Sequence, residues 1–380
     1  MPKLKIGVIF GSRSPEHDIS IITAQQIISA LDIQKYEVIP VYITKEGKWY
    51  TGSKLMRLDS FTGPMLRTRD LVPVTISLGS EVQGFASRLT RWLCTAVPLA
   101  IDVAFPAVHG PFGEDGTLQG FLELANIPYV GSGVVASAVG MDKLMMKAVF
   151  RGHGLPILPY LGFSRIQWEA GRERVVREVE AELPYPVFVK PANLGSSIAV
   201  AKAKDRLALA SALDVAAAYD RRLVVERGLD DPIEVNCAVM GGEEIRVSSC
   251  EKPIKSQDFL SFEDKYVRGG KGSGMKGTDR LIPAPLEPEL TRRIQDLARK
   301  VFEACDCRGV ARVDFLIDRH SQTVYVNEIN TVPGSLAFYL WQHAGIDFTS
   351  LCDLLIDEAV KSFRERERTT YTLPMSLLHR

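Results

Sequence analysis

Four polar residues on two predicted strands have the types and the spacing of a metal and nucleotide site. Side chains alternate along a strand, so Arg312 and Asp314 share one face of the first strand, and Glu328 and Asn330 share one face of the second. The turn-prone run 318–323 predicts a hairpin that sets Asp314 opposite Glu328 and Arg312 opposite Asn330. Two carboxylates and an amide are enough for Mg²⁺ bound to nucleotide phosphates. A solvated cross-strand ion pair would produce the same pattern, and these residues alone do not separate the two interpretations.

A lysine followed by a glycine-serine turn is a candidate phosphate site. Lys190 ends the strand predicted for 186–189, and Gly195, Ser196 and Ser197 precede the next strand. Backbone N–H groups in such a turn can surround phosphate oxygens, although an ordinary surface hairpin gives the same pattern. Neither a Walker A motif nor a GxGxxG dinucleotide motif occurs in the sequence, so P-loop and Rossmann nucleotide binding have no support.

The apolar strand that begins at Leu223 ends in Glu226 and a turn to Leu229. A strand of this kind can offer backbone groups to the edge of an adenine ring. A strand with a capped end is the simpler interpretation of the same residues, and the sequence leaves both open.

Two loops in the N-terminal part follow predicted buried strands. One contains His109 and the glycine-rich acidic run 113–116, and the other is the segment 11–16, which ends in Glu16. Ligands of open α/β sheets bind beyond the carboxyl ends of the strands, so both loops can face one crevice. A lone histidine after a strand is more often structural, but the adjoining glycines and acids favour a site.

Composition excludes several classes of protein. The 380 residues carry 46 Lys plus Arg and 46 Asp plus Glu, so no net charge attracts nucleic acid or an anionic membrane. The six cysteines have neither CxxC spacing nor the density of a disulfide framework, which argues against zinc. The apolar run 6–10 is too short for a signal peptide or a membrane span. We therefore expect a cytoplasmic protein that acts on small molecules.

The order of the predicted elements indicates an α/β chain of three domains. Residues 1–135 alternate strands and helices and predict an open parallel sheet, with a short strand at 127–130 and one long helix following from 134 to about 151. A central α+β domain is predicted for 136–230. Antiparallel hairpins predict a C-terminal α+β domain over 231–380, with a long mobile glycine-rich loop at about 251–280.

Taken in order, these segments resemble the D-alanine:D-alanine ligases of the ATP-grasp superfamily over nearly the whole chain. Any one string is weak evidence, but the ordered set is highly specific. The matching strings are Glu16 to Ser20, His109-Gly110, Gly116 to Gly120, Gly131 to Gly133, Met141 to Lys143, Val189 to Pro191, Gly195 to Ser197, Lys265-Tyr266, Arg312 with Asp314, and Glu328 with Asn330.

The resemblance implies ATP and two Mg²⁺ or Mn²⁺ ions as cofactors, with the nucleotide between the central and C-terminal domains. It places Lys143, Lys190 and Lys265 on the phosphates, with Ser197 also at the nucleotide. Glu226, Leu229 and Glu234 would lie around adenine and ribose. The metal ligands would be Asp314, Glu328 and Asn330.

The resemblance also implies a reaction. The carboxylate of one D-alanine attacks the γ-phosphate to give an acyl phosphate, and the amine of a second D-alanine then displaces phosphate, which supplies peptidoglycan synthesis. Glu16 would bind the first ammonium, and His109 would lie near the first carboxylate. Arg312 and the backbone near Gly334 would stabilise the oxyanion. Ser196 and Tyr266 would link to Glu16 and hold a loop closed over the site.

The sequence departs from the common family pattern after Gly334. Many members have a serine that holds the carboxylate of the second substrate, and an ungapped count places Tyr339 there. Ser335 could replace the missing serine. Alternatively, the second substrate could differ from D-alanine and be, for example, D-serine. Tyr266 favours an amine over D-lactate as acceptor. A third interpretation is a nucleotide-binding protein without catalytic activity. The sequence argues against it, because acidic, basic and metal-binding residues are present at all the predicted positions. Family members are often dimers, so a homodimer is expected.

Overall fold

The computed structural model describes residues 2–62, 68–76, 84–88, 96–254 and 280–371. Within these ranges the strands form three sheets, which span 4–106, 160–227 and 233–330. Each sheet lies inside one of the three predicted domains. Tyr266, Lys265 and most of the predicted mobile loop lie outside the described residues.

The N-terminal sheet has seven strands in the order β6-β5-β4-β3-β2-β1-β7. They are β1 (Leu4–Gly11), β2 (Tyr36–Ile43), β3 (Trp49–Thr51), β4 (Val72–Ile76), β5 (Gly84–Arg88), β6 (Ala96–Ala100) and β7 (Val103–Pro106). The helices of this unit are α1 (His17–Ala30), α2 (Asp59–Thr62) and α3 (Thr117–Leu124), with 3₁₀ turns at Ser53–Met56 and Thr68–Asp70.

This sheet is mixed, whereas the sequence predicted an open parallel sheet. Strand β1 pairs in parallel with β2 and β7, but β3 to β6 extend the sheet in antiparallel pairs. The cause is the short link 44–48 between β2 and β3, where Thr44 and Lys48 close a turn by a backbone hydrogen bond of 2.9 Å. A parallel crossover needs a dozen residues or more. The strand predicted at 127–130 is reduced to one bridge between Ala104 and Tyr129.

The turn from β1 into α1 is fixed by close packing. Gly11 has φ +95°, and a Cβ there would lie 2.1 Å from the carbonyl oxygen of Ile43, so only glycine fits. The Ser20 hydroxyl accepts from the Gly11 N–H at 2.8 Å and donates to the Ala107 carbonyl at 2.7 Å. These bonds fasten both N-terminal loops together and place Glu16 at the start of α1.

The central sheet has four strands in the order β10-β9-β11-β8, and the pairs are antiparallel. The long helix predicted from residue 134 is two helices, because the Asp142 side chain accepts from the N–H groups of Leu144 and Met145 at 3.1 Å and starts a new helix. The elements are α4 (Val134–Met141), α5 (Lys143–Gly152), β8 (Tyr160–Ser164), α6 (Arg165–Ala170), α7 (Arg172–Glu182), β9 (Val187–Pro191), β10 (Ala201–Ala203), α8 (Arg206–Tyr219) and β11 (Arg222–Arg227).

The C-terminal sheet is antiparallel, in the order β14-β13-β12-β15-β16. Its register sets Asp314 opposite Glu328 and Arg312 opposite Asn330, which confirms the predicted hairpin. The elements are β12 (Ile233–Gly241), β13 (Arg246–Pro253), β14 (Arg280–Leu281), α9 (Pro288–Ala304), β15 (Gly309–Ile317), β16 (Val324–Asn330), a 3₁₀ turn at Gly334–Ala337, α10 (Phe338–His343) and α11 (Phe348–Glu367).

Opposite faces of β15 have different environments. Val313 and Phe315 are buried in the core between the sheet and α9, where they join Ile294 and Phe302. The alternate residues Arg312 and Asp314 remain partly accessible on the other face. Helix α11 packs its buried residues, such as Leu355, into the core of the N-terminal sheet. No described helix is long and apolar enough to span a membrane.

Candidate active site

A cavity of ≈ 220 Å³ lies where the N-terminal loops, the α4–α5 junction, the loop after β9 and the C-terminal sheet meet. Most of the described residues predicted to form the site line it. They are Glu16, His109, Lys143, Lys190, Ser196, Ser197, Glu234, Arg312, Asp314, Glu328, Asn330 and Gly334. The fold therefore joins positions that lie more than 300 residues apart in the sequence.

The Glu16 carboxylate is buried at the N-terminal end of the cavity. It accepts a short hydrogen bond from the Ser196 hydroxyl, which belongs to the loop after β9. A Cβ on Gly110 would lie 2.6 Å from Glu16 Oε2, and one on Gly195 would lie 2.9 Å from the same oxygen. The carboxylate is thus enclosed by backbone from two loops, an arrangement suited to a single small cation such as an ammonium group.

His109 is buried beside Glu16 and connects three segments. Its Nε2 lies 2.8 Å from the Thr23 hydroxyl, which also accepts from the Ser335 N–H at 3.3 Å. Its Nδ1 lies 3.6 Å from Glu114 Oε1. Burial alone would lower the pKa of the imidazole, but Glu114 and then Glu16 reverse that effect, and the pKa is raised above 6.5.

Two lysines bring positive charge to the cavity. Lys143 begins α5, is buried and donates to the Leu194 carbonyl at 2.7 Å; burial lowers its pKa, against the attraction of Glu328. Lys190 donates to Glu226 Oε2 at 2.7 Å. Burial opposes its charge, but Glu226 and Glu328 raise its pKa. Both lysines line the cavity and are influenced by the charge of Glu328 on β16, as phosphate-binding lysines at a metal site would be.

Arg312 holds Asp314 by two hydrogen bonds, Nε to Oδ1 at 2.6 Å and Nη2 to Oδ2 at 2.7 Å. The amide nitrogen of Asn330 donates to Asp314 Oδ2 at 3.2 Å, which turns the two side chains toward each other. Burial would lower the pKa of Arg312, but Asp314 raises it.

The residues fit a divalent cation carried by a nucleotide. Asp314 and Glu328 are directly opposite in the ladder, and Asn330 adds an amide oxygen, so the donors are the hard oxygens that Mg²⁺ prefers. In the described part of the chain, no group of three or more His, Cys, Asp or Glu side chains could hold a metal ion. Two carboxylates and one amide suit a cation that completes its coordination with phosphate oxygens and waters.

Comparisons with known proteins identify the family of the chain. The family model described as the D-ala D-ala ligase N-terminus matches residues 5–132, and the model of the D-ala D-ala ligase C-terminus matches residues 149–357. A D-alanine–D-alanine ligase of Heliobacterium modesticaldum is 40% identical, with 98% of this chain and 100% of the relative aligned. The chain belongs to the D-alanine–D-alanine ligase family.

Solved structures extend the likeness to the fold. The D-alanine-D-alanine ligase of Coxiella burnetii has a TM-score of 0.80 and 30% identity, and the alignment covers 97% of each chain. The VanG D-Ala:D-Ser ligase of Enterococcus faecalis has a TM-score of 0.80 and 31% identity, over 94% of this chain and 100% of the other. The predicted ATP-grasp fold is confirmed for this ligase.

Two predicted nucleotide residues lie outside the cavity lining. Leu229 is buried, and the Glu226 carboxylate contacts lysines instead of facing the cavity. Glu226 accepts from Lys147 in a short bond and from Lys190 at 2.7 Å. Burial would raise the pKa of this carboxyl, yet the two lysines lower it to about 2. The Glu226 side chain thus positions Lys190, and its place beside adenine or ribose stays a prediction.

The sequence did not predict several residues in or next to the candidate site. Lys147 lies one helical turn after Lys143, and that i, i+4 spacing was a usable signal. Thr23 could not be predicted, because a single threonine among apolar helix residues is typical of a buried core position. Glu251 and Arg280 line the cavity, but they are the first and last residues of the segment predicted as a loop.

Proposed function

We propose that this ligase joins two D-alanines into D-alanyl-D-alanine, with ATP as co-substrate, for the supply of peptidoglycan precursors. The observation that carries the proposal is the arrangement of one cavity, in which a buried carboxylate from the N-terminal unit faces two lysines and two acids of paired strands. An amino acid carries one cation and one anion. Its ammonium suits Glu16, and its carboxylate then points toward the cationic centre of the cavity.

The first D-alanine is held by the N-terminal loops. Glu16 binds the ammonium group of this D-alanine. The Ser196 hydroxyl fixes the orientation of the Glu16 carboxylate. Burial opposes charge on His109, but Glu114 and Glu16 raise its pKa, which favours a positive charge near the carboxylate of the substrate. These contacts orient the reacting oxygen before any phosphoryl transfer.

The nucleotide phosphates lie on the lysines. Lys143 and Lys190 place fixed positive charge in a buried setting, where it is stronger than in water. Ser197 and Glu234 complete this side of the cavity. ATP, when bound, supplies the phosphoryl group that converts the first carboxylate into an acyl phosphate.

Asp314, Glu328 and Asn330 are the proposed ligands of two Mg²⁺ or Mn²⁺ ions. Bound ions of this kind reduce negative charge on the transferring phosphoryl group. Arg312 orients Asp314 by its paired hydrogen bonds, and it lies with Gly334 on the wall where the oxyanion of the second step would form.

The first experiment measures phosphate release from ATP and Mg²⁺ with D-Ala alone, beside L-Ala and beside D-Ala plus D-Ser, with the product identified by mass. We expect D-alanyl-D-alanine from D-Ala alone and no turnover with L-Ala. Failure of D-Ala in every combination would refute the proposal, and turnover with only the mixed pair would refute D-Ala as acceptor.

A second candidate is a ligase with D-serine as acceptor. It is favoured by the likeness to the VanG D-Ala:D-Ser ligase and by Tyr339, which lies on the cavity wall where family members commonly have a serine. The mixed-pair assay decides between the two candidates, since D-alanyl-D-serine differs in mass from D-alanyl-D-alanine.

The metal assignment has a separate test. Removal of divalent ions with EDTA should stop phosphate release, and Mg²⁺ or Mn²⁺ should restore it. Asp314→Asn should raise the Mg²⁺ concentration needed for half activity at least tenfold, because one carboxylate is lost from the ligand set. The matched control is Asp318→Asn in the exposed turn of the same hairpin. Equal Mg²⁺ requirements in the two variants would contradict the assignment.

We also propose that the ligase is a cytoplasmic homodimer. The homodimer is proposed because members of the family are often dimers, and the cytoplasmic location is proposed because the reaction uses ATP. Light scattering of the purified protein tests the assembly, and a mass of one chain would refute it. Fractionation of cells that express the ligase tests the location.

A further inference from the structure

Arg222, the first residue of β11, contacts two elements that carry proposed phosphate-binding residues. Its backbone carbonyl accepts from the Ala192 N–H at 3.0 Å, at the start of the loop after β9. Its guanidinium forms an ion pair through Nη2 with Oδ2 of Asp142, the residue that caps α5. One residue thus joins the loop to the start of the helix.

Both oxygens of the Asp142 carboxylate have partners. Oδ1 accepts from the N–H groups of Leu144 and Met145 at 3.1 Å, and Oδ2 contacts Arg222. The Asp142 side chain is 9% exposed and that of Arg222 is 19% exposed, so salt screens this ion pair only weakly. The Nε of Arg222 is buried and has no hydrogen-bond partner in the described part of the chain, so Nη2 holds the guanidinium against Asp142. The ion pair therefore fixes the first turn of α5 against β11.

Lys143 follows the cap directly and contacts the loop after β9 twice. Its backbone N–H donates to the Ala192 carbonyl at 2.9 Å, and its ammonium group donates to the Leu194 carbonyl at 2.7 Å. Lys143 and Leu194 line the cavity, but the ion pair behind them does not. A displacement of the first turn of α5 would therefore move the Lys143 ammonium relative to this loop.

Asp220 holds the same loop from the side of β11. Its Oδ2 accepts from the backbone N–H of Asn193 at 2.7 Å and from Asn193 Nδ2 at 3.0 Å. Its Oδ1 accepts from the Arg222 N–H at 3.2 Å. The loop is thus fastened to β11 by bonds that do not involve the Arg222 side chain, and it should keep its place when that side chain is changed.

Strand β11 supports both lysines of the cavity. Glu226, near its end, accepts from Lys190 and also pairs with Lys147 in the second turn of α5. Arg222, at its start, supports Lys143 through the first turn of the same helix. Two separate ion pairs therefore set the positions of the two ammonium groups.

We propose that Arg222 is a positioning residue for the nucleotide phosphates, because its ion pair with Asp142 fixes Lys143 relative to the loop after β9. The inference rests on the proposed function, in which Lys143 and this loop bind the phosphates of ATP. Arg222 does not line the cavity, so it acts through Lys143 and not by contact with the nucleotide. Loss of the ion pair should weaken the binding of ATP more than the binding of D-Ala.

The test compares Arg222→Met with the unmodified ligase. Methionine removes the charge and leaves the backbone bonds of residue 222 in place. We expect KM for ATP to rise about 10-fold, as for other side chains that orient a binding residue, while KM for D-Ala changes less than about twofold. Calorimetric titration with a non-hydrolysable ATP analogue and Mg²⁺ measures the same loss as a Kd, without turnover. Arg222→Lys restores a positive charge and should recover part of the affinity.

A double-mutant cycle shows whether the ion pair carries the effect. Asp142→Asn keeps an acceptor for the first turn of α5, because asparagine caps helices as well as aspartate does, but it removes the charge. If the two residues act through their contact, the double variant should bind the analogue no more weakly than the weaker single variant. Losses that multiply in the double variant would overturn the proposal.

The control Arg172→Met removes an exposed ion pair with Asp214 in the same unit, and neither residue lines the cavity. It should leave the affinity for the analogue unchanged. An unchanged affinity in folded Arg222→Met overturns the proposal. If that variant does not fold, Asp142→Asn decides, since an unchanged affinity there also overturns it. If the unmodified ligase binds the analogue but forms no dipeptide, the proposed function fails, and the calorimetric comparison still decides the role of Arg222.

Discussion

The Ser196 hydroxyl donates a hydrogen bond to the carboxylate of Glu16, across 180 positions of sequence. Glu16 immediately precedes α1 in the N-terminal unit, and Ser196 lies in the loop after β9 of the central unit. Ser196 has a left-handed backbone, with φ +51°. The loop after β9 therefore reaches Glu16, the proposed partner of the first substrate's ammonium, through a charge-assisted hydrogen bond.

We predict that Ser196→Ala lowers kcat/KM for D-Ala about 10- to 100-fold, because hydrogen bonds to charged groups contribute about 1.5–3 kcal/mol. Steady-state phosphate release measures the effect. The control is Ser211→Ala on α8, where an exposed hydroxyl donates only to the carbonyl one turn before it. If Ser196→Ala retained full activity, the bond to Glu16 would have no part in catalysis.

Gly110→Ala should inactivate the ligase. The residue has φ +73°, and its new Cβ would lie 2.6 Å from both Glu16 Oε2 and Ser14 Oγ. Gly154 is a matched control, since it has φ +66° but no atom within 4 Å of the added Cβ. Both substitutions carry backbone strain of about 1–2 kcal/mol. Thermal denaturation measures that shared cost, and an activity loss of similar size in both variants would exclude the steric effect on Glu16.

The buried carboxylate of Glu226 should make stability depend on acid. Lys147 and Lys190 overcome the effect of burial and hold its pKa at about 2, below the ordinary 4.5. A carboxyl with a lowered pKa contributes stability above pH 4.5 and loses it as the pH falls toward 2. The contribution is about 3 kcal/mol.

We predict that Glu226→Gln is about 3–5 kcal/mol less stable than the unmodified ligase at pH 7, because two buried ammonium groups lose their partner. The difference should shrink steadily below pH 4.5. Urea denaturation at several pH values measures it. Glu365→Gln removes an exposed ion pair with Arg368, and there we expect less than about 1 kcal/mol. A Glu226→Gln deficit that stayed constant down to pH 2 would contradict this account.

Most of the fold could be predicted from local sequence patterns, such as side-chain alternation and turn-forming residues. The hairpin register at Asp314 and Glu328 followed from the alternation of side chains along each strand and from the turn at 318–323. The antiparallel half of the N-terminal sheet was missed, since the link at 44–48 was not read as a hairpin turn. The break at Asp142 was missed because apolar periodicity continues through it.

The site was predictable where chemistry and spacing coincide in a short string. Glu16, Lys143 and Lys190 stand in such strings. Arg280 and Thr23 do not, since their partners lie far along the chain and only tertiary packing joins them. Arg280 reaches Glu251 across 29 positions, and Thr23 reaches Ser335 across 312. Contacts of that range leave no periodic trace in one sequence.

His109 should make the stability of the ligase sensitive to mild alkali. Burial opposes charge on the imidazole, but Glu114 and Glu16 raise its pKa above 6.5. A group with a raised pKa contributes stability that is complete below pH 6.5 and is lost as the pH rises through the folded-state value. We therefore expect the stability difference between the unmodified ligase and His109→Gln to be largest near pH 5.5 and to shrink toward pH 9. Urea denaturation across this range measures it.

The control for this prediction is His320→Gln, in the exposed turn between β15 and β16, which should leave stability unchanged at each pH. The KM for D-Ala provides a second readout. Thr23 connects His109 to the Ser335 N–H in the loop after Gly334, so a change at Thr23 should act through that loop. Thr23→Val keeps the shape of the side chain and removes the hydroxyl, so it should raise KM for D-Ala while leaving the pH dependence from Glu114 in place. A His109→Gln difference that grew with pH would show that the imidazole is held neutral, and the proposed positive charge at the donor carboxylate would be wrong.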